Sequence, residues 1–505
     1  MPESASWILD SRVVFLRKPG TDAPRPIRVG EMWRRVVAKR LVHAQRTVLQ
    51  KLFLKHRQCG VGLPGGADAL VHLRRSLEQA MAECDGEALA LLDLDLRNAF
   101  PSLEWDAIEA AVSEHAPELG PWTRWCHGAP AHVQLPGGAW VECDRGAEQG
   151  DPLGPAYCGL TLLRCAEAAR MAVEAAGGWV WDAWYMDDGQ IVLPPAFAAT
   201  YLHAFDRELE QAGGTRVAGC KLKSTARLLG PLEARRAVHA SWSAGVVAAT
   251  CKVLSADDDP AGRVLGVEIE GASLREQFSQ GSQDTAAVCE ALGGIGDPRA
   301  ELALLRVSAN VSRVTHLLRA AGPEIPHEAL EDFDTRQRQA LGAIVATPLS
   351  DVAWAQAQGG AKEGGLGLRS ACELRYPAFI ASRTETRSLA ELLTRGLPES
   401  VRAPVLAHWD TSTAAAVVAW TAELAPATAA LAKQHVEAAA AEAARTAAQL
   451  AGLLPGDWSG SNRGGQQSPA DALLYTGPTT PSTQTHSKAS RRSSHHLPPS
   501  RGSPA

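Results

Sequence analysis

At 505 residues, 45% of them hydrophobic and 21% charged, the chain has the composition of a globular protein of two or three domains. No apolar run reaches membrane-spanning length and the first 30 residues hold no signal-peptide core, which argues against a membrane or secreted protein. The ten cysteines include no Cys-x-x-Cys pair, which argues against a zinc knuckle or disulfide framework and for a reducing intracellular compartment, nuclear or cytoplasmic. The net charge of −6 is unevenly spread: residues 1–60 carry thirteen Lys/Arg against four Asp/Glu, a net +9, which leaves −15 for the rest. The N-terminal part is therefore the one suited to a phosphate-rich partner.

In chain order, residues 1–85 read as a short strand region followed by a helix from about Gly30 to Lys55. The apolar run Ala88–Leu94 is bounded like a buried strand and ends at Asp95; Ser102-Leu103-Glu104-Trp105-Asp106 then opens a helix over 102–115. Two acidic residues in one buried strand, Asp93 and Asp95, are costly without partners. The segment Arg145–Pro155 is a Gly/Pro-rich loop entering a helix over 156–176, where glycine lets backbone approach a ligand closely. Residues 177–193 read as a β-hairpin, two apolar runs joined by an Asp187-Asp188-Gly189 turn. A turn with two adjacent carboxylates gathers negative charge that a divalent cation would relieve. A helix over 196–213 follows.

Residues 271–350 turn mainly helical, with helices expected over 284–292, 299–321 and 327–347. Residues 411–454 are alanine-rich and expected to be helical. After Pro455 the composition shifts to Ser, Pro, Thr, Gly and Gln, which predicts a disordered tail.

Asp95, Asp187 and Asp188 are carboxylates from separate elements, the donor set of a two-metal phosphoryl-transfer site whose ions lie about 3.5–4 Å apart. Three segments in this order, Asp95-Leu96-Arg97-Asn98-Ala99-Phe100, Gln149-Gly150-Asp151-Pro152-Leu153-Gly154-Pro155 and Tyr185-Met186-Asp187-Asp188, resemble motifs A, B and C of reverse transcriptases. The Gln-Gly-Asp-Pro-Leu-Gly-Pro form resembles the non-LTR (LINE-class) retrotransposon enzymes. Weaker matches extend it: residues 16–30 resemble a fingers segment, Gln58–Ala67 a glycine-rich stretch between fingers and palm, Lys221–Ser224 motif D, and Val264–Ile269 the motif E hairpin.

The resemblance implies an α+β right-hand polymerase. Fingers would occupy 1–85, a split βαβ (ferredoxin-like) palm 86–275 and a helical thumb 276–350. A helical region over 351–454 and the tail over 455–505 would follow. Because such fingers usually lie deeper in their chains, the sequence is expected to be an N-terminally truncated core, and a separate endonuclease would be needed for insertion. The implied activity is RNA-directed DNA synthesis from an RNA template, a DNA or RNA primer and dNTPs, with two Mg²⁺ ions for which Mn²⁺ can substitute. By resemblance, Asp95, Asp187 and Asp188 are catalytic and hold the ions together with the Leu96 carbonyl. Lys18 and Arg25 would meet the triphosphate, Phe100 would be the steric gate against a 2′-hydroxyl, and Gln149 and Gly150 would lie on the template–dNTP pair. Tyr185 would sit beside the primer terminus and Lys223 would protonate pyrophosphate. A group II intron or retron-like reverse transcriptase, and a catalytically inactive nucleic-acid-binding relic, are the alternatives.

Overall fold

The fold of residues 7–17, 24–216, 224–243, 245–257, 262–269 and 271–450 is described by a computed structural model. In chain order its strands are β1 (Ser11–Arg17), β2 (Pro24–Gly30), β3 (Leu89–Leu94), β4 (Ala131–Gln134), β5 (Trp140–Cys143), β6 (Trp181–Tyr185), β7 (Asp188–Leu193), β8 (Thr225–Leu229), β9 (Lys252–Val253), β10 (Arg263–Val264) and β11 (Val267–Glu268). A central sheet has the order β6-β7-β3-β8-β9, and β3 pairs antiparallel with both β7 and β8. The N-terminal sheet has the order β2-β1-β4-β5, with β4 parallel to β1. Strands β10 and β11 form a separate hairpin whose two turn residues, Leu265 (φ 48°) and Gly266 (φ 86°), are both left-handed, the backbone a two-residue hairpin loop requires.

Strand β3 is apolar on both faces because both are covered. Ala90, Leu92 and Leu94 point into a core built from Ile108 and Val112 of the helix Trp105–His115, Leu160 and Ala169 of Gly154–Ala175, and Tyr201 and Phe205 of Ala198–Gln211. The alternate residues Leu89 and Leu91 point into a second core with Leu73 and Leu77 of Gly66–Glu83 and Val405 and Trp409 of Glu399–Ala422. The period-2 alternation of a strand thus separates two cores across one sheet. The same second core takes Leu389 and Leu393 from the helix Ala371–Leu393, so helices from the last quarter of the described chain pack under the central sheet. No helix among the described residues is long and apolar enough to cross a membrane.

Several expected elements are redrawn. The helix read over 30–55 is two, Met32–Ala44 and Arg46–Lys55, separated at Gln45. The helix read over 299–321 is broken by Asn310, whose side-chain oxygen accepts from the Ser312 amide at 2.8 Å while its NH₂ donates back to the Arg306 carbonyl. The expected 411–454 helix is the end of Glu399–Ala422 followed by a second helix, Pro426–Leu450, in which Pro426 takes a first-turn position that has no need of an N–H. The helix Gly66–Glu83 was not apparent in the sequence. Its His72, Arg74, Arg75 and Glu78 are buried, so its inward face does not read as apolar. The tail over 455–505 lies outside the described residues.

Candidate active site

The register of the central sheet brings the motif A and motif C carboxylates to one end of its strands. Leu94 pairs with Gly189, so Asp95, one step beyond the end of β3, comes beside Asp188, the first residue of β7. In the β6–β7 hairpin Tyr185 pairs with Asp188, which leaves Met186 and Asp187 as the two-residue turn. This corrects the Asp-Asp-Gly turn expected from sequence: Asp188 is already in the strand, and it is Met186 that takes the left-handed backbone, φ 56°. Asp188 is exposed, whereas Asp95 and Asp187 are half-buried. Asp187 lies near the helix Gly154–Ala175, where burial first and then its carboxylate push the Cys158 thiol well above its usual range.

Beyond Asp95 the chain is held on both sides. The Asp95 amide donates to Ser224 Oγ at 3.1 Å, Leu96 bridges to Arg216, and the Arg97 amide donates to the Thr215 carbonyl at 2.8 Å. Asn98 then turns left-handed (φ 47°) into the single helical turn Ala99–Ser102. Phe100 lies there, half-buried against the first core, and its carbonyl accepts from the Ala147 amide at 2.7 Å. That bond, with Gly146 N–H to the Leu103 carbonyl at 2.7 Å, stitches the motif B loop to the segment after Asp95.

The motif B loop is built around buried charge. Asp151 Oδ1 accepts from the Leu153 amide at 2.8 Å and its Oδ2 from Arg34 Nε at 3.0 Å. Arg34 Nη1 also reaches Glu148 Oε1 at 2.7 Å, and Arg28 Nη2 of β2 reaches the same oxygen at 3.0 Å. Burial pushes the Glu148 carboxyl up, against the pull of Arg34 and Arg28. Burial opposes the Arg34 charge, but Glu148 and Asp151 outweigh it and its pKa is raised. Gly150 lies directly on β2: a Cβ there would stand 2.3 Å from the Arg28 carbonyl oxygen. That contact explains this glycine from within the chain. The neighbouring Gln149 is exposed.

Tyr185 is half-buried and packs on the second core, as does Leu265 of the β10–β11 turn. Arg25 lies in β2 opposite Leu16, with its side chain outside the description. Lys18 and Lys223 also lie outside the described residues.

Sequence reasoning missed the support beneath the hairpin. Asp182 of β6 is fully buried and takes Arg170 Nη1 at 2.8 Å, Arg57 Nη2 at 3.1 Å, Trp184 Nε1 at 3.1 Å and the Tyr201 hydroxyl at 3.1 Å. Burial alone would raise its pKa, but the two guanidinium groups hold it below the usual carboxylate range. The signal was an aspartate facing inward from an aromatic strand, which demands buried cations somewhere in the chain.

Three carboxylates and a backbone carbonyl are hard oxygen donors, a set that fits Mg²⁺. Among the described residues, the one group with three possible ligand atoms all within 4.8 Å of one another is Glu114, His115 and Glu167, so Asp95, Asp187 and Asp188 share one end of the sheet without closing that tightly.

No family model matches the chain, and no curated protein matches it. Among solved structures it is similar to the telomerase of Candida albicans in complex with a fragment of telomeric RNA, with a TM-score of 0.39, 12% identity and coverage of 78% of this chain and 66% of that one. It is also similar to apo telomerase of Candida tropicalis, with a TM-score of 0.39, 13% identity and coverage of 78% and 70%. The chain thus spans 66% of the length of the first of these. At such scores the overall likeness is loose.

Proposed function

We propose that this chain is the core of an RNA-directed DNA polymerase of the non-LTR retrotransposon type. The observation that carries the proposal is the β3–β7 register, which sets Asp95 beside Asp188 with Asp187 in the adjoining turn. The chain just before Gln149 is bonded to the segment that follows Asp95, through the Gly146 and Ala147 amides, which supports the reading of the three motifs as one site.

In this reading a primer 3′-oxygen attacks the α-phosphorus of a dNTP, the bond from that phosphorus to the bridging oxygen breaks, and pyrophosphate leaves. Two bound Mg²⁺ ions supply charge neutralisation and a lowered hydroxyl pKa. Asp95, Asp187 and Asp188, with the Leu96 carbonyl, hold them. Phe100 presents its ring where a ribose 2′-hydroxyl would have to fit, and Tyr185 supports the primer end from the hairpin. Gln149, exposed at the loop tip, faces the nascent pair, while Gly150 keeps the loop seated on β2. Lys18 and Arg25 meet the triphosphate, and Lys223 returns a proton to pyrophosphate.

The test is primer extension by the full chain on an RNA template with dNTPs and Mg²⁺, beside an Asp187→Ala/Asp188→Ala control. Extension that the double substitution abolishes supports the reading. A folded chain that extends nothing favours an inactive nucleic-acid-binding relic instead.

A further inference from the structure

Met186 occupies an unusual position. It is a non-glycine residue in the left-handed region, at the tip of the hairpin that carries Asp187 and Asp188, and such a conformation needs local compensation. One side chain supplies it. Gln58 Oε1 accepts from the Met186 amide at 2.8 Å, and Gln58 Nε2 donates to the Met186 carbonyl at 2.9 Å. Both backbone polar groups of the strained residue are thus satisfied by a single primary amide. The orientation of that amide is fixed by its partners, because Oε1 also accepts from the Gly60 amide at 3.1 Å.

The amide is itself held rigidly. Gln58 is 3% exposed. Its backbone runs beside β6: the Trp184 amide donates to the Arg57 carbonyl at 2.8 Å and the Cys59 amide to the Trp184 carbonyl at 2.6 Å. The Gln58 side chain therefore continues this short ladder past the end of the strand and onto the turn. Gly60 makes the approach possible, since a Cβ at that position would lie 2.6 Å from the Met186 nitrogen.

We propose that Gln58 is a positioning residue for the aspartate turn: by clamping both backbone groups of Met186 it fixes the directions in which Asp187 and Asp188 present their carboxylates. The assignment rests on the polymerase reading only for its catalytic consequence; the clamp itself is a property of the hairpin. A glutamine is the side chain that suits it. Glutamate keeps the acceptor, loses the donor to the Met186 carbonyl and adds charge beside the aspartates. Alanine removes both bonds and leaves the left-handed backbone without support.

The experiment compares the full native chain with Gln58→Ala and Gln58→Glu in three measurements. These are amide exchange of the segment 184–190, Mn²⁺ binding by electron paramagnetic resonance titration, and steady-state primer extension. For a folded Gln58→Ala chain, the loss of two hydrogen bonds predicts that protection at the turn falls about tenfold or more. Mn²⁺ affinity is expected to fall by about tenfold, and kcat by a similar factor with KM for dNTP within about twofold, the pattern of a group that sets geometry and does not bind substrate. Gln58→Glu is expected to fall between the two in turn protection, and it decides the question by that readout if alanine unfolds the chain. Native-like protection and Mn²⁺ affinity in a folded Gln58→Ala chain, or native-like protection in Gln58→Glu, overturn the proposal. If protection falls as expected but the native chain extends no primer, the clamp stands and the polymerase reading fails.

Discussion

Asp93 of β3 and Arg74 form a two-pronged ion pair two residues before Asp95, with Nη1–Oδ1 at 2.6 Å and Nη2–Oδ2 at 3.1 Å. Arg74 is fully buried and also pairs with Glu78, while Asp93 keeps 24% of its side-chain exposure and takes a further bond from Thr225 Oγ1 at 3.2 Å. The two aspartates of this strand segment are therefore placed differently: Asp93 faces Arg74 and Thr225, and Asp95 lies beyond the strand end beside Asp188. Asp93→Asn should cost about 2–3 kcal/mol, tempered by its residual exposure, because it leaves the Arg74 charge buried with only Glu78 to oppose it. Asp95→Asn should abolish primer extension in a chain that still folds. The reverse assignment of the two effects would refute this division of roles.

Asp182 should be the most sensitive carboxylate under the hairpin. Asp182→Ala leaves Arg57 and Arg170 facing a buried hole and is expected to destabilise by about 3–5 kcal/mol. The pH dependence follows from its shift. Its folded pKa lies below the ordinary value, as does that of Asp93, where burial is likewise outweighed by Arg74. The stabilisation is therefore complete above the unfolded carboxylate pKa and is lost as pH falls through the depressed folded values. The share of the urea midpoint that these two carboxylates supply should be flat near neutrality and fall away only below about pH 4. Asp182→Ala should flatten that acid limb; an acid limb identical to that of the native chain would remove Asp182 as its source.

Much of the site was legible because its signals are local. The run Leu89–Leu94 and the aromatic and β-branched flanks of the hairpin identify strands by themselves, and each motif is contiguous in sequence. The details of the turn were not legible. Met186 carries no sequence mark of left-handed backbone, and its support comes from Gln58, far away in the chain, through an amide that looks like any polar residue. The N-terminal sheet was seen only in part, because β4 and β5 are four residues each and β5 is largely exposed, too short a run to show alternation. The helix Gly66–Glu83 was hidden for a different reason: its inward face is partly guanidinium and carboxylate, whose complements lie on β3 and in the segment before His327. Periodicity finds apolar faces and cannot find a face made of paired charges.

The junction between the N-terminal sheet and the motif B loop should respond to two independent changes. Arg34 is 5% exposed and faces Glu148 and Asp151, which are 6% and 4% exposed. Arg34→Ala leaves two carboxylates buried together with only Arg28 near one of them, and about 3–5 kcal/mol of destabilisation is expected in urea unfolding. Gly150→Ala adds a methyl 2.3 Å from the Arg28 carbonyl oxygen, so backbone must move. Its expected signature is a loss of dNTP incorporation together with about 1–3 kcal/mol of stability. Wild-type behaviour of Gly150→Ala in both assays would mean that the loop does not rest on β2 in solution.

Phe100 gives the sharpest check on the proposed chemistry, because its two roles make different demands. It is half-buried against the first core, so part of its ring packs and part faces outward from the helical turn after Asp95. As a packing residue alone, Phe100→Val would cost about 1 kcal/mol of stability and leave nucleotide choice untouched. As a steric gate, it excludes ribose by occupying the space of a 2′-hydroxyl, and a smaller side chain opens that space. Phe100→Val is then expected to lower the preference for dNTP over rNTP by on the order of 10–100-fold, through a gain in rNTP incorporation more than a loss of dNTP incorporation. The comparison is the ratio of kcat/KM for the two nucleotides on one primer–template. An unchanged ratio in an active Phe100→Val chain would assign the ring to the core and leave the gate to another residue.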